Sequence, residues 1–460
     1  MEIVSQDSFT QAFEAAGGFV SPHICLCVPA GCERGVFIRR LCVSTVAPVS
    51  EKDNMPLVHI PASLVLTAAE AVKSEIVCRC CGKLPNTDAS ESVVLALFLL
   101  TERARGAESP WKWYIDALPC LGTNALYFGN TDMDALRGTP LGSAAEAKLR
   151  QLKRQYDCFA ETLDCWLRSQ KLELKLSFED YKWASFIILS RSISLHSCDE
   201  SVVDCDSSGY PHGKCDRALL PFLDMFNHCA QPTAYWTVNS DASVTIHAAA
   251  AATECSDIDT DQSSSIELCL SYGAKPATEW AYEYGFLPLD NKHDAWPHFV
   301  QLAGSPSLVA IKRLWIQELG LLPRVMLVDP AAIIPKHSSD RGYLSRSALL
   351  MLCLAALDDL SDKCTHAVGN ILPAMPYFSV GGTIVDDDEK LLQLPGLAAF
   401  VRHKLSSQLR AQASNMRTFS YHTSSKPNPL VLAYLETQSL LVDRIADYLT
   451  DHLFSSLLSI

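Results

Sequence analysis

The chain has 460 residues, 48% hydrophobic and 20% charged, a globular composition too long for one ordinary core, so two or three packed units of roughly 100 to 250 residues are expected. Lys+Arg 38 against Asp+Glu 52 leaves a formal charge of −14, which argues against general nucleic-acid binding and suits a basic protein partner such as a lysine-rich tail or a ribosomal protein, unless the charge serves solubility alone. The longest apolar run, Ala348 to Leu357, is far below the ~20 residues of a bilayer span, so a soluble chain without membrane insertion is expected.

Met1 to Asp7 lacks the basic start and apolar core of a secretory signal, so an intracellular, reduced chain is expected, cytoplasmic with the nucleus left open. The 18 cysteines then read as thiols. Cys25-x-Cys27 and Cys78-x-Cys80-Cys81 come closest to metal-ligand spacing, and no metal is expected.

A helix is expected within residues 1–20, then short strands at Gly35 to Ile38 and Pro56 to Pro61, bounded by Gly and Pro. Asp88-Ala89-Ser90-Glu91 has the spacing of a capping box, and the apolar run Val93 to Leu100 behind it is long enough for a buried helix. Ala144 to Leu167 is rich in helix formers, and Phe178 to Leu189 reads as another apolar-faced helix. Cys198 to Asp216 and Thr253 to Ser265 are acidic, Ser-rich insertions with little to give a core. Between them strands return, and Ile266, Leu268 and Leu270 alternate with Glu267, Cys269 and Ser271 in the period-two pattern of a half-buried strand. From Asp294 onward the chain reads as helical, ending on a stripe of Leu441, Ile445, Tyr448, Leu449, His452 and Leu453 with Asp443, Asp447 and Asp451 on another face.

Three segments carry the functional signal: Asp224-Met225-Phe226-Asn227-His228, Ser271-Tyr272-Gly273, and Tyr284-Gly285-Phe286. In this order and spacing they resemble the signature segments of SET-domain methyltransferases. Cys32-Glu33-Arg34-Gly35-Val36-Phe37 resembles the Gly-containing N-terminal turn of that domain. Ser109-x-Trp111-x-x-Tyr114-Ile115-x-x-Leu118-Pro119, Leu136-x-Gly138-Thr139 and Trp183-Ala184 through Ser190-Arg191 are similar to landmarks of the RuBisCO large-subunit methyltransferase type. The resemblance covers Phe19 to Leu289; beyond that, Ala433-Tyr434 matches that type's closing helix. It implies an α+β chain: an N-terminal helix over 1–20, a SET-domain β-fold over 21–290 with a helical insert at about 95–183, and an all-α, substrate-binding C-terminal domain over 294–460.

The resemblance further implies S-adenosyl-L-methionine as cofactor, held by Cys32, Glu33, Arg34, Arg191, Asn227, His228 and Tyr272, with Arg191 near its carboxylate end. Asp224 either orients Arg191 or contacts the substrate. Tyr284 and Tyr272 are the candidate catalytic residues, with Tyr284 also on the substrate side. No covalent intermediate is needed, because methyl transfer is an in-line displacement governed by alignment and electrostatic support. The expected activity is protein-lysine N-methylation of a basic, non-histone protein, a ribosomal protein or translation factor, by a monomer without direct nucleic-acid contact. Tyr284 favours lysine, since a related subgroup that methylates histidine in actin departs from tyrosine before Gly-Phe. The alternatives are that histidine chemistry, or a catalytically weak SET scaffold that only binds a protein partner.

Overall fold

The structure, a computed structural model, describes residues 8–27, 35–38, 56–85, 88–172, 175–195, 216–249, 266–289, 291–302, 304–318, 320–332, 346–356, 400–419 and 427–451. The candidate turn Cys32, Glu33 and Arg34 and nearly all of both acidic insertions lie outside these residues, as do His452 and Leu453. By internal contacts the chain divides into two compact units. The first draws on 1–122, 148–198 and 215–273, the second on 123–147 and 274–460.

The first unit opens with helix α1 (Ser8–Ala15) and strands β1 (Phe19–Val20), β2 (Ile24–Cys27), β3 (Gly35–Ile38), β4 (Pro56–Ile60) and β5 (Leu66–Thr67). Helices α2 (Ala68–Ala71), α3 (Glu75–Cys81), α4 (Glu91–Arg105) and α5 (Lys112–Ile115) follow. Helix α6 (Asn130–Ala135) and the start of α7 (Pro140–Ser169) belong to the second unit; with the rest of α7 and α8 (Phe178–Arg191) they complete a helical interval with no strand between Thr67 and Ile193 among the described residues. Strands then return as β6 (Ile193–Leu195), β7 (Asp216–Leu219), β8 (Asn227–His228), β9 (Ala234–Val238), β10 (Val244–Ala248) and β11 (Ile266–Leu270). They pair in the orders β1-β4-β10-β9, β2-β3-β11-β8 and β5-β7-β6.

Local chemistry explains these elements. Ser177 and Asp180 form a reciprocal capping box at the start of α8, satisfying two of its orphan N–H donors. Helix α4 buries Val93 to Leu97, Leu99 and Leu100 because α2, α3 and α8 pack around it. The expected Asp88-x-x-Glu91 box does not form. Ser90 is the N-cap, its side chain makes no capping bond, and Glu91 turns its carboxylate to the backbone N–H of Arg217 at 3.0 Å. The alternation expected in β11 also fails at one position: Leu268, Cys269 and Leu270 are all buried, in a strand paired with β3 and with β8.

The second unit adds α9 (Ala277–Glu279) running into a π-turn at Trp280–Tyr284, then strands β12 (Ala295–Phe299) and β13 (Arg324–Val328). Helices α10 (Pro306–Glu318), α11 (Arg346–Ala356), α12 (Ser406–Phe419) and α13 (Pro429–Asp451) are also present among the described residues. Among the described residues after Asp294, helices are joined by the antiparallel β12–β13 pair, so this part is not the all-α domain expected. Helices α12 and α13 lie against each other, with Leu441, Ile445 and Leu449 fully buried, while Asp443 and Asp447 pair with Arg417 and Arg410. Acid on one face and apolar residues on the other is the division expected from the 3.6-residue period.

Candidate active site

In the first unit, β8 lies parallel to β11 with Asn227 opposite Cys269 and His228 opposite Leu270. Just past β11, Tyr272 closes back on the same segment through two bonds. Its phenol donates to the Phe226 carbonyl at 2.6 Å, and its backbone N–H donates to His228 Nδ1 at 3.2 Å. The second bond requires an acceptor at Nδ1, so the imidazole is neutral with its proton on Nε2. Burial pushes the His228 pKa down, in the same sense. The two rings sit 5.4 Å apart between centroids. Asn227 Nδ2 donates to Glu267 Oε1 at 2.7 Å, which fixes the orientation of the amide.

Three residues before Asn227, the carboxylate of Asp224 is fully buried on a 3-10 turn, Leu223–Met225. Tyr114, also buried, donates its phenol to Asp224 Oδ2 at 2.8 Å. Arg191, the last residue of α8, donates Nη1 to the Asp224 main-chain carbonyl at 2.5 Å and comes within 3.7 Å of Oδ2. Burial raises the Asp224 pKa, and the Arg191 charge and the Tyr114 hydrogen bond oppose that rise. Asp224 Oδ1 is buried and accepts no hydrogen bond among the described residues. A guanidinium donor beside a buried acceptor oxygen matches the carboxylate and ammonium of an α-amino acid, which S-adenosylmethionine carries.

In the second unit, Tyr284 ends the π-turn and Gly285 follows with φ +81°. Glycine is required there on two counts, since that conformation is strained for other residues and a Cβ would stand 2.6 Å from the Thr123 backbone. The Tyr284 ring packs on Trp280 at 5.2 Å and Phe286 at 6.2 Å, and Lys275 Nζ lies 5.8 Å from its centroid. Lys275 is also paired with Glu279 and is 3.8 Å from Glu283. Buried Asn124 donates to the Glu283 carbonyl at 3.0 Å and steadies the turn.

The structure thus brings Arg191, Asp224, Asn227, His228 and Tyr272 together in one unit, and places Tyr284 in an aromatic group of the other. Sequence reading gave no role to Tyr114, Glu267, Trp280 or Lys275. Of these, Tyr114 and Glu267 stood inside quoted segments, but their partners are set by tertiary packing. Cys78 and Cys81 do have Cys-x2-Cys spacing, on α3, and burial raises the Cys81 thiol pKa; among the described residues no group of three or more metal-ligating side chains occurs. No helix among those residues is long and apolar enough to cross a membrane.

The chain superposes on the SET domain of LSMT bound to lysine and AdoHcy with a TM-score of 0.63 at 17% identity, covering 99% of this chain and 92% of that one. Rubisco LSMT bound to AdoMet gives 0.61 at 17% identity, covering 99% and 93%. The fold is that of a SET domain. The SET-fold chain is also similar in sequence to actin-histidine N-methyltransferase from Danio rerio, 27% identical over 335 residues, or 70% of this chain and 49% of the relative. The enzyme of that name from Homo sapiens is 27% identical over 260 residues, 55% of this chain and 39% of the relative. The SET-fold chain therefore spans about half the length, or less, of these curated relatives. No protein-family model matches it.

Proposed function

We propose that this chain is an S-adenosylmethionine-dependent protein N-methyltransferase. The observation that carries this reading is the closed segment in which Tyr272 fastens to both Phe226 and His228, holding Asn227-His228 in a fixed register beside the Arg191–Asp224 pair. When bound, the cofactor supplies an electrophilic methyl on a cationic sulfur. The chain's part is alignment. Arg191 offers a planar fork to a carboxylate, Asp224 Oδ1 a buried acceptor to an ammonium, and Asn227 an amide already oriented by Glu267. Tyr284 handles the acceptor nitrogen, and Glu279 and Glu283 near it suit a basic protein segment.

The acceptor we favour is a histidine of a protein substrate. The sequence relatives named for actin-histidine methylation support it, and the chemistry is compatible, since an imidazole with a pKa near ~6.5 is already neutral and nucleophilic at pH 7. A second reading, a lysine acceptor, is favoured by Tyr284, which stands where the resemblance has the histidine-methylating subgroup departing from tyrosine.

Calorimetry with S-adenosylmethionine tests the cofactor claim. Wild-type protein is expected to bind, and Asn227→Ala combined with His228→Ala to lose binding; no wild-type binding, or undiminished binding by the double variant, removes the enzyme reading. The acceptor follows from mass spectrometry of actin and of a basic-protein fraction incubated with enzyme and cofactor. Methyl on histidine, with a rate flat above about pH 7.5, fits the favoured reading. Methyl on lysine, with a rate rising toward pH 10, replaces it with the second.

A further inference from the structure

Tyr114 is completely buried, and its hydroxyl is bonded to Asp224, 110 positions away in the chain. The ring is held in place by Trp111 and Trp113, at 6.4 and 6.1 Å between centroids. Its effect is visible in what Arg191 and Asp224 do not do. A guanidinium and a buried carboxylate in such proximity ordinarily close into a two-pronged, fork-to-fork pair, the strongest arrangement open to them. Here that pair stays open. Oδ2 is occupied by the phenol at 2.8 Å, the guanidinium stands 3.7 Å from it, and Arg191 Nη1 is bonded to the main-chain carbonyl instead.

We propose that Tyr114 is a positioning residue: by holding Oδ2 of Asp224 it keeps the carboxylate from closing on Arg191, so that the guanidinium fork stays available to a ligand carboxylate. The inference rests on the methyltransferase reading, in which that ligand carboxylate belongs to the cofactor. Without the hydroxyl, Asp224 turns to Arg191 and the two charges satisfy each other. The cofactor must then break that pair before it binds, so the loss falls on binding and not on the displacement step.

Tyr114→Phe keeps the ring packing and removes only the donor. By calorimetry its Kd for S-adenosylmethionine is expected to rise about tenfold, the lower range for a hydrogen bond to a charged group. The kcat measured at saturating cofactor should stay within about twofold, which separates positioning from catalysis. para-Aminophenylalanine at position 114 keeps the shape and a weaker donor, so its Kd should fall between the two; it also serves should the phenylalanine variant not fold. In an Asp224→Asn background, where no ion pair can close, Tyr114→Phe should add little, a non-additivity expected only if Tyr114 acts through Asp224. An unchanged Kd in either folded variant, a loss confined to kcat, or full additivity with Asp224→Asn overturns the inference while leaving the methyltransferase reading intact. No cofactor binding by the wild type removes that reading and the inference together.

Discussion

The two tyrosines singled out for chemistry hold different positions, and the difference predicts different defects. The Tyr272 hydroxyl is committed to the carbonyl of Phe226, a fully buried residue, at 2.6 Å. Tyr272→Phe leaves that carbonyl without its donor, at a cost of about 1–3 kcal/mol. The loosened turn is the one that presents Asn227-His228, so cofactor affinity should fall along with stability. Tyr284 belongs to the other unit, in an aromatic group with Trp280 and Phe286. Tyr284→Phe should leave the Kd for S-adenosylmethionine within about twofold and lower the methylation rate about 10²–10³-fold, the range for losing one polar contact made in the transition state. Calorimetry and single-turnover rates on both variants decide it. Full activity in Tyr284→Phe, or an affinity loss in it larger than in Tyr272→Phe, would end this assignment of roles.

At the scale of elements, sequence patterns identified what local chemistry controls. The helix formers of Ala144 to Leu167 lie inside α7, the apolar face of Phe178 to Leu189 lies inside α8, and the strand before Tyr272 is β11. What escaped was whatever depends on a distant partner. The Asp88-x-x-Glu91 pattern looked sufficient for a cap, but Arg217, 126 residues on, takes the Glu91 carboxylate. Tyr114 was visible only as part of a landmark, because nothing local marks the residue that will meet Asp224. Asp294 is a further case. Read as no more than the start of the helical region, it accepts the backbone N–H groups of Ala277 and Ala295 through Oδ1 and Nε2 of buried Gln438 through Oδ2, so one side chain joins α9, β12 and α13. Asp294→Ala strands those donors and should cost about 2–4 kcal/mol in urea unfolding. Because α9 leads directly into the turn carrying Tyr284, the KM for the protein acceptor should rise as well. A loss below about 1 kcal/mol would mean water replaces the carboxylate there and that it does not hold these elements together.

For the molecule as a whole, one pH-dependent contribution to stability comes from a residue outside both groups of signature residues. His298 on β12 is 7% exposed, its Nδ1 has no hydrogen-bond partner among the described residues, and burial lowers its pKa to about 4. The folded pKa is below the unfolded value near ~6.5, so the unfolded chain binds the proton more readily, and stability from this group is present above about pH 6.5 and lost as pH falls toward 4. Across that window the loss is about 3 kcal/mol at 1.36 kcal/mol per pKa unit. Asp224 and Asp294 act in the opposite sense: burial raises both, so acid relieves them. Total stability against pH therefore mixes two trends, and only a difference isolates the histidine. His298→Leu fills similar volume with a side chain that cannot titrate, so wild type and variant should follow parallel stability curves above about pH 7, with any offset under about 1.5 kcal/mol. Below pH 6.5 the wild type should lose ground steadily, until by pH 4 the variant has gained about 3 kcal/mol on it. Urea unfolding midpoints at pH 7.5, 6, 5 and 4 give the comparison, and curves that stay parallel to pH 4 would show that His298 takes up its proton without leaving the fold.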